Sequence, residues 1–313
     1  MREKGDLVSN GVIAYRLGRV GAGLEPVLKQ MAPDTEVVEW PTPSEILVTL
    51  DSAWDGTESD LAAELRWIHI LSAGVGNFPV ALLEGRALTC GKGASAVAIA
   101  EFALATMLAF EKGLPETWVT EPPPRWGFAQ LGGLRGKTLG LVGLGAIGTE
   151  IAKRALGFDM RVVALRRSGR PSDLAGVEVA SSLIDVLDGA DHVVVAAPAT
   201  RQTYHLIDAD ALAAMKDGVH LVNVARGSLI DQGALIDALD RGKVGMASLD
   251  VAEPEPLPAG HVLYSHPRVR LSPHISYSSA DSLNNMLGRF ADNLARYRAG
   301  QSLEGLVDVE AGY

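Results

Sequence analysis

Residues 140–148 read GLVGLGAIG, and no other stretch constrains the fold of this chain as much. Gly143, Gly145 and Gly148 stand in G-x-G-x-x-G spacing. The spacing alone is a weak signal, because glycine-rich turns arise often by chance. Here the triplet closes the apolar run KTLGLVGLG and opens a helical pattern with Ile147, Ile151 and Ala155, ending at Gly157. A strand, a glycine turn and a helix in that order form a dinucleotide fingerprint. Gly143 permits the tight turn, Gly145 lets the main chain approach a pyrophosphate, and Gly148 allows close helix–strand packing. Ala146 and Ile147 continue the first helical turn, whose free N–H groups attract an anion.

The next apolar run, RVVAL at 161–165, leads into RRSGR. The residue that reads the ribose stands about twenty positions past the glycines, which falls on Arg166. A carboxylate there would bind the 2′-hydroxyl of NAD and repel a 2′-phosphate. Arg166 and Arg167, with Ser168 as a neutral donor, do the opposite. Each charge-assisted hydrogen bond to phosphate contributes about 1.5–3 kcal/mol. The expectation is therefore a preference for NADP(H), with NAD(H) still accepted. The plain alternative is a solvated basic loop.

Around this centre the chain alternates strand-like and helix-like runs. GVIAY, TEVVEW, EILVTL and RWIHIL, separated by the helical patterns AGLEPVLKQM and ESDLAAEL, come first. An alanine-rich helix over 96–110 and an irregular Pro-, Gly- and Trp-containing segment follow. The alternation then resumes with RVVAL, DHVVVAAP, VHLVNVAR, GMASLDV and VRLSPH. A last helix carries Leu283, Met286, Leu287, Phe290, Leu294 and Tyr297 on one face. This order predicts an α/β chain of two doubly wound parallel-sheet domains, Rossmann- or flavodoxin-like. The cofactor domain, 96–282, is expected to be inserted into a substrate domain made of 1–95 and 283–313.

Composition narrows the function. A net charge of −10 opposes non-specific nucleic-acid binding, and an anionic substrate would need a local reversal of sign. Cys90 is the sole cysteine, so neither an internal disulfide nor a cysteine-built zinc site is possible. That usage fits a reducing cytoplasm. The opening MREKGDLVSN lacks the apolar run of a signal peptide. ASAVAIAEFALATMLAF carries Glu101 and reads as a packed helix rather than a membrane span. EGRALTCGKGAS has the wrong glycine spacing for a phosphate loop, and His69, His192, His205, His220, His261 and His266 lack metal-ligand spacing. A soluble protein with no metal, membrane or nucleic-acid partner is expected.

VGLGAIG, VNVARGSLID, LDVAEPEPLP and LSPHIS, in this order, resemble the D-2-hydroxyacid dehydrogenase family, nearest to its NADP-dependent glyoxylate/hydroxypyruvate reductases. SAGVGNFP resembles the family's substrate-binding loop. The resemblance runs over nearly the whole chain and is least distinctive before Leu71. It implies a catalytic trio of Arg226, Glu255 and His274, with Asp250 beside the nicotinamide. Pro198, ending DHVVVAAP, is counted with the cofactor residues. Glu253 is a rival to Glu255 on residue type alone; the family pattern sets the acid just before the second proline.

The chemistry suits that trio. Reducing a 2-oxo acid needs hydride at the carbonyl carbon and a proton at its oxygen. Histidine is a natural donor near neutral pH, and a carboxylate on its other nitrogen orients it. Arg226 would fork onto the substrate carboxylate, and main-chain N–H groups of Ala73, Gly74 and Val75 would hold the remainder. The expected partners are a small 2-oxo or 2-hydroxy acid and a second copy of the chain in a homodimer. Trp126 is read first as interface packing. The alternative is that it reaches a partner's active site, as a tryptophan in this stretch does in some of those reductases.

Two rivals stand beside this reading. One is another enzyme of the architecture, a formate or phosphoglycerate dehydrogenase. Formate dehydrogenases carry glutamine where Glu255 stands, and phosphoglycerate dehydrogenases usually keep the acidic ribose reader that Arg166 replaces. The other rival is a dinucleotide-sensing co-repressor or scaffold without turnover.

Overall fold

The computed structural model describes residues 11–17, 23–50, 63–75, 78, 83 and 85–308. The helix expected over 58–65 lies mostly outside them, as does the N-terminal decapeptide. The chain divides into two compact units, one of Met1–Ser95 with Ser279–Tyr313 and the other of Ala96–Ser278.

The first unit is built on a five-stranded parallel sheet of β1 (Ile13–Arg16), β2 (Val37–Glu39), β3 (Ile46–Thr49), β4 (Trp67–Ile70) and β5 (Ala87–Cys90). The order is β2-β1-β3-β4-β5, that of flavodoxin-like doubly wound folds. The central β3 and β4 are buried on both faces, so they read as largely apolar runs, interrupted in β4 by His69. Helix α1 (Glu25–Met31), with Pro at its start, packs Leu28 against one face. The returning helix α7 (Ser282–Arg298) joins the same core through Met286, Leu287, Phe290 and Leu294, the stripe expected from its period. Leu283, at its first turn, stays exposed. The edge of β5 is covered by the tail, where Val307 N–H donates to the Leu88 carbonyl.

Polar atoms in this core are tied together. Trp67 Nε1 donates to Thr89 Oγ1 at 2.8 Å, and His69 Nδ1 lies 2.7 Å from the same hydroxyl. His69 is fully buried against Trp67 and Phe290, and its Nε2 has no hydrogen-bond partner. Burial pushes its pKa down to about 4.

The second unit carries seven parallel strands: β6 (Thr138–Val142), β7 (Arg161–Leu165), β8 (Val177–Ala180), β9 (His192–Val195), β10 (Val219–Asn223), β11 (Val244–Leu249) and β12 (Val269–Leu271). The order β12-β11-β10-β9-β6-β7-β8 reverses direction between β6 and β9, the switch point where doubly wound sheets bind nucleotides. Alternation divides the central strands between two cores. Leu139, Leu141, Val162, Ala164 and Val194 meet α2 (Ala96–Lys112) and α3 (Ala146–Gly157). Val142, Val163, Val193, Val195 and Leu221 face α4 (Leu183–Leu187), α5 (Ala209–Ala214) and α6 (Gln232–Asp240). The alanine-rich α2 is thus a core helix. No helix among the described residues is long and apolar enough to cross a membrane.

Candidate active site

The glycine turn follows from close packing at the end of β6. Gly143 has φ +109°, and a Cβ there would sit 2.7 Å from the Ala197 nitrogen. A Cβ on Gly148 would fall 2.1 Å from the Gly143 carbonyl oxygen, so no side chain fits at either position. Gly145 differs: it is the exposed N-cap of α3, and an added Cβ would meet nothing within 4 Å. No side chain caps this helix. The N–H groups of the exposed Ala146 and half-buried Ile147 therefore begin a helix whose entrance is open, and a pyrophosphate fits that space. Across the switch point the exposed Pro198 accepts from Thr203 Oγ1 at 2.7 Å, which folds back the loop after β9.

At the end of β7, Arg166 to Gly169 make a tight turn closed by Gly169 N–H donating to the Arg166 carbonyl at 2.9 Å. The Arg166 guanidinium rests on the Pro171 carbonyl at 3.3 Å, while Arg167 and Ser168 are exposed. Three cationic or donor side chains thus extend from one short turn, one strand over from the glycines.

The Arg226, Glu255 and His274 segments are fastened to one another by main-chain contacts at the C-terminal ends of β10, β11 and β12. Asn223, the last residue of β10, accepts from Ala225 N–H at 3.0 Å and donates to the Arg226 carbonyl at 2.8 Å. These bonds set the corner from which the half-buried Arg226 projects. Its guanidinium donates to the Ala225 carbonyl at 2.7 Å. Burial lowers its pKa and the Glu255 carboxylate raises it, but a guanidinium stays cationic throughout. The next residue is Gly227, where a Cβ would lie 2.0 Å from the Ala252 carbonyl carbon. The arginine turn thus presses directly on the turn that carries Glu255.

Asp250, 1 % exposed at the end of β11, fastens the histidine loop. Its carboxylate accepts from Ser272 Oγ (2.6 Å), Ile275 N–H (2.9 Å) and Ser276 N–H (2.9 Å). Its main-chain carbonyl takes His274 N–H at 2.9 Å. His274 is held with φ +55°, a region a non-glycine residue occupies only when its surroundings enforce it. Its Nδ1 lies 2.8 Å from Glu255 Oε2, and Glu255 Oε1 accepts from Ala252 N–H at 2.9 Å. Of the two glutamates in AEPEPLP, Glu255 is the one whose carboxylate meets His274. Glu253 is engaged through its main chain, by the side chain of Gln232.

In the other unit, Ala73, Gly74 and Val75 follow β4 as a loop in which Ala73 is exposed, Gly74 half-buried and Val75 buried. Ser72 Oγ donates to the Gly74 carbonyl at 3.2 Å and Cys90 Sγ to that of Ala73 at 3.5 Å. The rest of SAGVGNFP, apart from Phe78, lies outside the described residues. Trp126 is 77 % exposed, among Trp118, Val119, Phe128 and Leu131, all likewise exposed. Among the described residues no three His, Cys, Asp or Glu side chains gather as metal ligands. Asn223, Ser272 and Gln232 were not marked by the sequence, because residues that hold main-chain groups across loops have no periodic signature.

Comparison with known proteins finds relatives over most of the chain. Residues 104–276 match the family described as D-isomer specific 2-hydroxyacid dehydrogenase, NAD binding domain. The chain is 33 % identical over 276 residues to a glyoxylate reductase of Thermofilum pendens, spanning 85 % of this chain and 81 % of that one. It is 31 % identical over 297 residues to a D-3-phosphoglycerate dehydrogenase of Archaeoglobus fulgidus, covering 92 % of this chain but 56 % of that one. Among solved structures, a D-isomer specific 2-hydroxyacid dehydrogenase from Xanthobacter autotrophicus Py2, in complex with NADPH and MES, is similar with a TM-score of 0.81. Its identity is 26 %, over 97 % of this chain and 99 % of that one.

Proposed function

The chain belongs to the D-isomer specific 2-hydroxyacid dehydrogenase family and is an NAD(P)-dependent oxidoreductase, and from that premise we propose that it reduces small 2-oxo acids, glyoxylate and hydroxypyruvate first, to D-2-hydroxy acids with NADPH as the preferred donor. The observation that carries the reading is the 2.8 Å contact between His274 Nδ1 and Glu255 Oε2, in the same unit as the half-buried cation Arg226.

A nicotinamide dinucleotide, when bound, would supply the hydride. Arg226 pairs with the substrate carboxylate and gives an acidic protein a local positive charge. In the other unit, the main-chain N–H groups of Ala73, Gly74 and Val75 are assigned to substrate binding. Glu255 orients His274 by accepting from Nδ1–H; the doubly protonated ring gives its Nε2 proton to the carbonyl oxygen and is left as the neutral Nδ1–H tautomer. Asp250 holds the histidine loop, and it and Pro198 would border the nicotinamide cofactor. Gly143, Gly145, Ala146, Ile147 and Gly148 receive the pyrophosphate, and Arg166, Arg167 and Ser168 the 2′-phosphate, with NADH as a poorer alternative. The exposed aromatic stretch around Trp126 supports a homodimer, and the single cysteine supports a cytoplasmic protein.

Initial rates with glyoxylate and hydroxypyruvate, each titrated with NADPH and NADH, test the reading. A kcat/KM clearly higher with NADPH supports it. Equal rates, or faster turnover with NADH, make RRSGR a solvated loop. Turnover with 3-phosphohydroxypyruvate alone moves the protein to the phosphoglycerate dehydrogenases, and no turnover with any pair moves it to the sensors.

A further inference from the structure

The turn that carries Glu255 has little structure of its own, since AEPEPLP is an irregular segment following β11. Its hold on His274 depends on what grips it from outside. One grip is steric, the Gly227 main chain lying against Ala252 and Glu253. A second is Leu257, buried in the core with its carbonyl accepting from Tyr264 Oη at 3.0 Å, and a third is Gln232. Its side-chain amide pairs with both polar groups of the Glu253 main chain: Nε2 donates to the Glu253 carbonyl, and Oε1 accepts Glu253 N–H at 3.1 Å. Glutamine is suited to this as the one-residue analogue of a neighbouring strand, offering a donor and an acceptor side by side.

Gln232 is itself rigidly placed. It is the first residue of α6, whose N-cap Asp231 accepts from Ala234 N–H at 3.0 Å. Asp231 N–H donates to the Ile207 carbonyl at 3.0 Å, and the helix is sealed into the core by Leu235, Ala238 and Leu239. The amide therefore projects from a fixed base onto the irregular turn at Glu253. We propose that Gln232 is a positioning residue that sets the Glu255 carboxylate against His274 by gripping the main chain of Glu253. This rests on the catalytic reading of Glu255 and His274 given above.

A double-mutant cycle in the full chain tests it, using Gln232→Ala, Glu255→Gln and the pair. With glyoxylate and NADPH, Gln232→Ala is expected to lower kcat by about 10- to 100-fold, the loss typical of a misplaced reacting group. NADPH affinity, followed by fluorescence, and the thermal midpoint are expected to stay near those of the parent. In the Glu255→Gln background the same substitution should cost almost nothing further, because Gln232 would act only through that carboxylate. Hydrogen exchange on the peptide spanning 250–257 should quicken in Gln232→Ala, as the Glu253 amide loses its acceptor. Gln232→Glu should fail to restore turnover, because it keeps an acceptor for Glu253 N–H but turns a carboxylate onto the Glu253 carbonyl. Losses that add in the double variant, or a Gln232→Ala protein with parental kcat while Glu255→Gln is impaired, would overturn the clamp alone. Parental turnover in Glu255→Gln would overturn the clamp together with the catalytic reading beneath it.

Discussion

Acidification should weaken the first unit through one buried ring. His69 is fully enclosed, bonded on one side to Thr89 and bare at Nε2, and burial holds its pKa down to about 4. In the unfolded chain the same imidazole returns to about 6.5. The folded state therefore keeps the neutral ring, while the unfolded state takes up a proton first as pH falls. Stability is at its full value above about 6.5 and declines as pH drops through the window toward about 4. Linkage with these two values gives a loss of about 2 kcal/mol on going from about pH 7 to about pH 5. Replacement by phenylalanine removes the titrating group, keeps the ring against Trp67 and Phe290, and leaves the Trp67–Thr89 hydrogen bond in place. At neutral pH His69→Phe should change stability by no more than about 1 kcal/mol, as for other near-isosteric core swaps. His192, buried in the other unit and also pushed down to about 4 by burial, adds a slope of the same sign, so the comparison is between proteins. Urea unfolding of parent and variant at both pH values, read by tryptophan fluorescence, should show the parent losing about 2 kcal/mol more than His69→Phe. Equal losses in the two proteins would refute the argument.

Other expectations follow from single contacts. Arg166→Ala with Arg167→Ala should raise the Kd for NADPH by about 10- to 100-fold and leave NADH binding nearly unchanged, measured by fluorescence titration. Gly148→Ala drives a Cβ toward the Gly143 carbonyl oxygen, and the two nearest atoms are main chain; it should cost about 1–3 kcal/mol in thermal or urea unfolding and weaken binding of either cofactor. Arg226→Lys retains the charge but loses the planar fork, so KM for the 2-oxo acid should rise by about tenfold or more while NADPH affinity holds.

Much of this architecture could be read from the residues, because both cores obey simple periods. Strands buried on two faces, such as VVV in β9, show as continuous apolar runs, and α7 shows its stripe at helical spacing. Two strands escaped that reading for physical reasons. ALTC of β5 is short and has a single β-branched residue, so its burial comes from β4 and the tail that flank it. VEVA of β8 is a half-exposed edge strand, too brief for its alternation to stand out. At the site, Gly143 and Gly148 were legible because close approach demands glycine. The fastening role of Asp250 and the grips of Asn223 and Gln232 were not, since each binds main-chain atoms of a loop that only the folded sheet brings near.

In the proposed reaction His274, oriented by Glu255, gives the proton during reduction of a 2-oxo acid. The most direct measurement compares the parent and His274→Ala with glyoxylate or hydroxypyruvate, recording kcat alongside NADPH affinity. Loss of general acid catalysis predicts a fall in kcat of about 100- to 10,000-fold with NADPH still bound as in the parent. Turnover of the variant at the parental rate would exclude His274 as the proton donor.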